Sequence, residues 1–213
     1  MSAFFDIFLP SRCLICSRSA PSSMILCEDC LQKLRDLTPV YARTSTRTIQ
    51  TIHFFDYYDS PLTRLIKSYK YGAHISLAPF LALYLSEMFR YTVLPKTIQP
   101  VPSHRHSVRT RGFSASEQVA DVCKRHFLPD LQILNLLKRT GKYVPQASLK
   151  GVEHRRMNAE NSYRMMKREI PDEILLFDDI ITSGSTMESI ARQIKRKNSN
   201  CQIQGIVFIK RGE

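Results

Sequence analysis

The stretch Glu173-Ile-Leu-Leu-Phe-Asp178-Asp179-Ile-Ile-Thr182-Ser183-Gly184-Ser185-Thr186 constrains this chain more than any other. Ile174 to Phe177 form an unbroken apolar run, the pattern of a strand covered on both faces. Two carboxylates end the run, and a turn of small hydroxyl residues follows. Met187, Ile190, Ala191 and Ile194 then recur at the spacing of a helix with one apolar stripe. Asp178 and Asp179 therefore stand at the carboxyl end of a buried strand, where ligands of open α/β sheets bind.

The turn at the start of that helix has the chemistry of an anion site. Backbone amides of residues 182–186 point outward, Gly184 permits close approach, and the hydroxyls of Thr182, Ser183, Ser185 and Thr186 add donors suited to a phosphate. The carboxylates would repel that phosphate. Their place is one group further along, accepting from the vicinal hydroxyls of a ribose or helping to hold a magnesium ion. The combination describes a grip on ribose 5-phosphate. A Walker loop is excluded because no Gly-x4-Gly-Lys-Ser/Thr exists, and a dinucleotide fingerprint because the seven glycines are scattered.

Upstream, the chain alternates strands and helices, which implies a parallel sheet flanked by helices. Strands are expected at Ile52 to Tyr58, Thr97 to Val101, Ile174 to Phe177 and Ile203 to Ile209. Helices are expected at Leu31 to Leu37, from Pro61 to near Gly72, over Ser76 to Arg90, and from about Ser185 to Arg196. Ser114-Ala-Ser-Glu117 reads as a capping box that opens a further helix through Arg125.

Cys13, Cys16, Cys27 and Cys30 form two Cys-x2-Cys pairs separated by a linker that can turn back on itself. In a reducing compartment four thiolates so spaced make a tetrahedral zinc site more readily than two disulfides. A closed four-thiolate shell leaves no position for water, so this Zn2+ is expected to be structural. A zinc-binding module at 1–40 and a second domain at 41–213 follow from that reading. Cys123, within an apolar helical pattern, is expected to pack as a small hydrophobe.

Lys and Arg number 31 against 19 Asp and Glu, a net charge of +12 that points to a polyanionic partner. Lys67, Lys70, Arg105, Arg109, Arg111, Lys138, Arg139, Lys142, Arg155 and Arg156 are candidates for phosphate contacts. Tyr69, Tyr71, Phe113 and Tyr143 lie among them as candidate stacking platforms, or as core. No apolar run reaches the roughly 20 residues of a membrane span, and Met1 to Pro10 lack the basic start of a signal peptide. A cytoplasmic location without membrane insertion is expected.

The strand, acid pair and anion turn resemble the phosphoribosyl pyrophosphate motif of the type I phosphoribosyltransferase family. Three further blocks narrow the resemblance: Tyr58-Asp-Ser-Pro-Leu-x-Arg64-Leu-Ile-Lys67-x-x-Lys70-Tyr71-Gly72, Pro100-Val-Pro-Ser-His104-x4-Arg109-x-Arg111-Gly112-Phe113, and Gln146-x2-Leu149-x5-Arg155-Arg156-x-Asn158. With the leading cysteines they are similar to the ComF/ComFC family of late competence proteins. Two departures stand out: Ser114-Ala115 follows Phe113 where that family usually has Asn-Gln, and no further Cys pair follows the first four.

The resemblance implies an α/β, type I phosphoribosyltransferase-like fold, with a parallel-rich sheet flanked by helices and a small N-terminal zinc module. It places a pyrophosphate loop at Val101, Pro102, Ser103 and His104, and a closing loop carrying Arg155 and Arg156. It further implies binding of phosphoribosyl pyrophosphate with Mg2+, handling of single-stranded DNA in natural transformation, and a competence helicase and recombination proteins as partners. Two other readings share the pocket. One is a phosphoribosyltransferase of nucleotide salvage with an unspecified acceptor, in which Asp178 and Asp179 are the catalytic residues; the other is a non-catalytic sensor of phosphoribosyl pyrophosphate.

Overall fold

The computed structural model describes residues 11–21, 24–36, 43–58, 60–140, 162–166 and 168–211. In chain order, β1 (Ser11–Arg12) and β2 (Ser19–Ala20) pair around the first two cysteines, and α1 (Glu28–Arg35) carries the last. Then follow β3 (Arg43–Thr44), β4 (Thr51–Tyr57), α2 (Pro61–Tyr71), α3 (Ala78–Tyr91), β5 (Thr97–Pro100), α4 (Arg105–Arg111), α5 (Ala115–His126) and β6 (Gln132–Ile133). A short hairpin of β7 (Leu137–Arg139) and β8 (Tyr163–Met165) precedes β9 (Glu173–Ile181), α6 (Ser185–Lys197) and β10 (Gln202–Lys210).

Among the described residues the central sheet has the order β3-β4-β10-β9-β5-β6, and only the edge strand β3 runs antiparallel. Its long strands are nearly continuous apolar runs because both faces are covered. Leu175, Phe177 and Phe208 face the layer built from α2, α3 and α5, whereas Ile52, Phe54, Leu176 and Val207 face α6 and the β7–β8 hairpin. This is the α/β, mostly parallel architecture expected from the alternation of elements.

The topology selects a place for a ligand. Strand β5 is followed by its neighbour β6 on one side and β9 by its neighbour β10 on the other, so the connections diverge between β5 and β9. Divergence opens a crevice beyond the carboxyl ends of those two strands. Pro100 lies in register with Phe177, and the amide of Val101 donates to the Phe177 carbonyl at 2.8 Å. The Val101 to His104 loop thus leaves the sheet beside the Asp178-Asp179 pair, where β9 continues along β10 alone.

The cysteine segment is not suspended from the sheet domain. Leu26, Cys30 and Leu34 share the apolar cluster of Leu62, Leu65, Leu81 and Tyr84, and the Tyr84 hydroxyl donates to the Leu34 carbonyl. The boundary between 40 and 41 expected from the sequence falls outside the described residues. Helix α1 starts earlier than Leu31 because Cys27 is its N-cap. Among the described residues no helix is long and apolar enough to cross a membrane.

One local expectation is corrected, and one helix is added. Ser114 is the N-cap of α5 by position, but its side chain makes no cap hydrogen bond; Ser114 Oγ instead accepts from the Ser103 amide at 3.4 Å. The Arg-rich stretch after His104 is a helix, capped by the His104 ring, which accepts from the His106 amide, and closed by Gly112 at a φ of 87°.

Candidate functional site

Asp178 and Asp179 lie in the last half of β9, which runs on through Ile181 rather than ending at the acids as the sequence suggests, and their surroundings are unequal. Asp179 is buried, and its Oδ2 lies 2.6 Å from Lys70 Nζ at the end of α2. This is a charge contact rather than an aligned hydrogen bond, and the side chains retain only 10% and 22% of their exposure. Asp179 Oδ1 accepts from the Ile180 amide at 2.9 Å. Asp178 is half-buried, and its Oδ1 accepts from the Asp179 amide at 2.9 Å and from Ser116 Oγ at 3.4 Å.

The electrostatics follow this asymmetry. Burial, and then the charge of Asp179, push the Asp178 carboxyl up to about 7, against the pull of Lys70. Burial also acts to raise Asp179, but the Lys70 ammonium outweighs it and holds that carboxyl below its ordinary value. Lys70 itself is raised, because Asp179 and Asp178 overcome the cost of its burial. The pair is one fixed anion and one group that titrates near neutrality.

The turn that follows is open at the helix start. Gly184 caps α6 in the left-handed region at a φ of 70° and, having no side chain, supplies no cap hydrogen bond to the first amides of the helix. Thr182 and Ser183 are exposed, Ser185 and Thr186 half-buried, and Ser183 Oγ donates to Ser185 Oγ at 3.1 Å. The turn is buttressed from behind by Thr46 and Thr48. Glu188 on α6 accepts from the Thr48 amide at 3.0 Å, the Thr48 hydroxyl at 2.9 Å and Arg192 at 2.8 Å. A Cβ on Gly184 would meet Thr46 Cγ2 at 3.1 Å. Gly184→Val is therefore expected to destabilise the fold by about 1–3 kcal/mol, read as a lower melting temperature, and to remove anion binding at the turn.

The pyrophosphate-loop residues assemble beside this pair. Val101 and Pro102 are buried, and Ser103 Oγ accepts from Arg111 at 2.6 Å and from the Ala115 amide at 3.3 Å. Arg111 also donates to the Phe113 carbonyl at 2.9 Å, so it braces the loop rather than projecting into solvent.

The cations divide into groups. Lys70 belongs to the acid pair, and Arg139 lies over the Tyr163 ring at 5.3 Å with its Nε buried. Lys67 and Arg211 cover the Tyr58 ring at 4.5 and 5.0 Å. Arg105 and Arg109 are exposed on α4, and Lys138 stands directly across the hairpin from Arg164, both exposed. Like charges so opposed destabilise a hairpin unless an anion relieves them. Lys142, Tyr143, Lys150, Arg155 and Arg156 lie outside the described residues. Among the aromatic candidates, Tyr69 and Phe113 are core: their rings lie 4.9 Å apart, and the Tyr69 hydroxyl donates to the Ala115 carbonyl at 3.1 Å. Tyr71 is 81% exposed.

Sequence reasoning missed Tyr163. Burial brings the phenol of this residue up to about 12, against the pull of Arg139 and with a smaller push from the charge of Asp178. Only the spacing of β7 and β8 across the hairpin places it there, and nothing local in the sequence signals that pairing.

The four cysteine sulfurs at the other end of the chain lie within 4.8 Å of one another, with Cys16 Sγ 3.6 Å from Cys27 Sγ. A tetrahedral shell with Zn–S of about 2.3 Å has edges of about 3.8 Å, so the cluster fits zinc. The Arg18 backbone amide and guanidinium lower the Cys16 thiol to about 6, which favours the thiolate a metal needs. The acid pair differs: among the described residues it belongs to no group of three metal-donor side chains, and Asp179 Oδ2 is held by Lys70.

No family model matches the chain. It is similar to Competence protein F of Haemophilus influenzae, 29% identical over 150 residues that make up 66% of this chain and 64% of that protein. The chain thus spans less than two thirds of that relative's length.

Proposed function

We propose that the chain belongs with the ComF family and acts in competence for natural transformation by binding phosphoribosyl pyrophosphate and single-stranded DNA. One observation carries the ligand: the acid pair and the uncapped Gly184 turn leave the same strand at the point where the connections diverge. The amides of the turn would take the 5-phosphate, and the free oxygen edge of Asp178 would accept from the ribose hydroxyls. The Val101 to His104 loop, whose Ser103 is held by Arg111, would receive the pyrophosphate. Mg2+ would arrive on the pyrophosphate and neutralise its charge, while Lys70 occupies Asp179.

The DNA term rests on charge. Lys67, Arg105, Arg109, Lys138, Arg164 and Arg211 have no carboxylate within ion-pair distance among the described residues. Such cations would contact phosphates with little preference for sequence. The zinc reading of the cysteine cluster belongs to the same proposal, as a structural element.

The test is calorimetric titration of phosphoribosyl pyrophosphate with Mg2+ into the full chain, with and without an oligonucleotide, at two salt concentrations. Binding of both ligands, with DNA affinity falling steeply as salt rises, is the expected result. Absence of sugar-phosphate binding would overturn the pocket assignment. Consumption of the ligand in the presence of a nucleobase would make the protein a phosphoribosyltransferase, and binding without consumption a sensor.

A further inference from the structure

Lys70 stands out from the other ion-paired cations. Arg18 with Asp29, Arg90 with Glu87, and Lys96 with Asp130 are surface pairs, and Arg192 with Glu188 braces one helix to a loop. Lys70 instead leaves the last turn of α2, crosses to the carboxyl end of β9, and meets Asp179 at 2.6 Å with most of its side chain out of water. Taking an ammonium out of water is costly unless it is paired, so the position is held by the acid pair and in turn holds it. Lys67, one turn earlier on the same helix, turns outward over Tyr58.

Two adjacent carboxylates near a phosphate site present a problem of charge, since both repel the ligand and each other. A divalent cation is the usual remedy, yet the position beside Asp179 Oδ2 is filled by Lys70 Nζ at 2.6 Å. The ammonium occupies that electrostatic role. We propose that Lys70 is the resident counter-cation of the Asp178-Asp179 pair, a positioning residue that lets the site accept an anionic sugar phosphate without first binding a metal ion. This deepens the proposed function and rests on it for the identity of the ligand. Through Asp179, Lys70 also fixes the end of β9, so that Asp178 presents its remaining oxygen to the ligand.

The experiment has two arms on the full chain. In the first, Mn2+ is titrated alone and followed by electron paramagnetic resonance in wild type, Lys70→Met, Lys70→Arg and the double variant Lys70→Met with Asp178→Asn. Wild type and Lys70→Arg are expected to bind no Mn2+ at the acid pair. Lys70→Met is expected to gain one site at least tenfold tighter than any in wild type, which disappears in the double variant. In the second arm ribose 5-phosphate is titrated without divalent metal; Lys70→Met is expected to lose at least tenfold in affinity and to recover it when Mn2+ is added.

Equal Mn2+ binding by wild type and Lys70→Met, or a Lys70→Arg protein that behaves as Lys70→Met, would overturn the proposal. Lys70→Gln serves both arms if the Met variant does not fold. Should wild type bind no ribose 5-phosphate under any condition, the sugar-phosphate reading falls, while the Mn2+ arm still decides the role of Lys70.

Discussion

Asp178→Asn is expected to melt at a higher temperature than wild type at pH 8 while losing affinity for the sugar phosphate. The Asp178 carboxyl is pushed up to about 7 by burial and by Asp179, whereas in the unfolded chain it titrates near 3.9. Between about pH 4 and pH 7 the unfolded chain has released this proton and the folded protein still holds it, so stability falls as pH rises through that window. Above the folded value both states are ionised and the penalty is constant. Asparagine cannot ionise and removes the penalty, a gain on the order of 2 kcal/mol at pH 8, or roughly 4–8 °C for a chain of this size. The gain should shrink at pH 5, where wild type already holds Asp178 neutral.

Asp179 has the opposite sign. Its lowered carboxyl contributes stability that is present above its ordinary value and lost as pH falls through the lowered one. Asp179→Ala leaves the Lys70 ammonium buried and unpaired, and is expected to cost about 3 kcal/mol. Replacing both acids by Ala should abolish sugar-phosphate binding. Circular-dichroism melts at pH 5 and 8, with calorimetry at pH 8, read all three effects; a lower melting temperature for Asp178→Asn at pH 8 would sink the assignment of Asp178 as a penalised carboxylate.

The second large effect is expected at the cysteines. Cys13→Ser with Cys16→Ser removes half of a four-thiolate cluster whose sulfurs lie within 4.8 Å of one another, and should abolish zinc binding. Without metal the segment is held by its apolar contacts, chiefly Leu26 and Leu34, which share a cluster with Leu62 and Tyr84. The damage should therefore reach α2 and α3, lowering the main melting transition by at least 10 °C rather than adding a separate early one. Metal analysis and melting curves check this. Zinc absent from wild-type protein, or an unchanged main transition, would contradict it.

The sequence was most readable where chemistry and covering coincide in one short stretch. Ile174 to Phe177 have no polar residue to place outside, so the strand, its two acids and the Gly184 turn could be read together. The cysteines were readable because a chelating pair needs a fixed spacing. What could not be read depends on partners far along the chain. Strands β7 and β8 are three residues each and are joined across 140–162, so no local pattern announces them. Helix α4 has no buried residue and hence no apolar stripe to betray its period. The capping box at Ser114 was a sound local reading, defeated because the Ser103 amide competes for the hydroxyl. Lys70 looked like one basic residue among several, and only the packing of α2 against the sheet separates it from Lys67.

The strand order also dictates when this protein can assemble. Strand β10, the last in order of the described strands, lies between β4 and β9 and pairs with both over most of its length. A nascent chain that ends before residue 202 therefore has no sheet centre: β4 waits with its apolar side chains uncovered, and β9 has only β5 beside it. Closure over so long a loop is slow, and the waiting strands are exposed to wrong pairing. Synthesis of β10 is the event that turns two separate strand groups into one sheet and brings the Gly184 turn and Lys70 to the same edge.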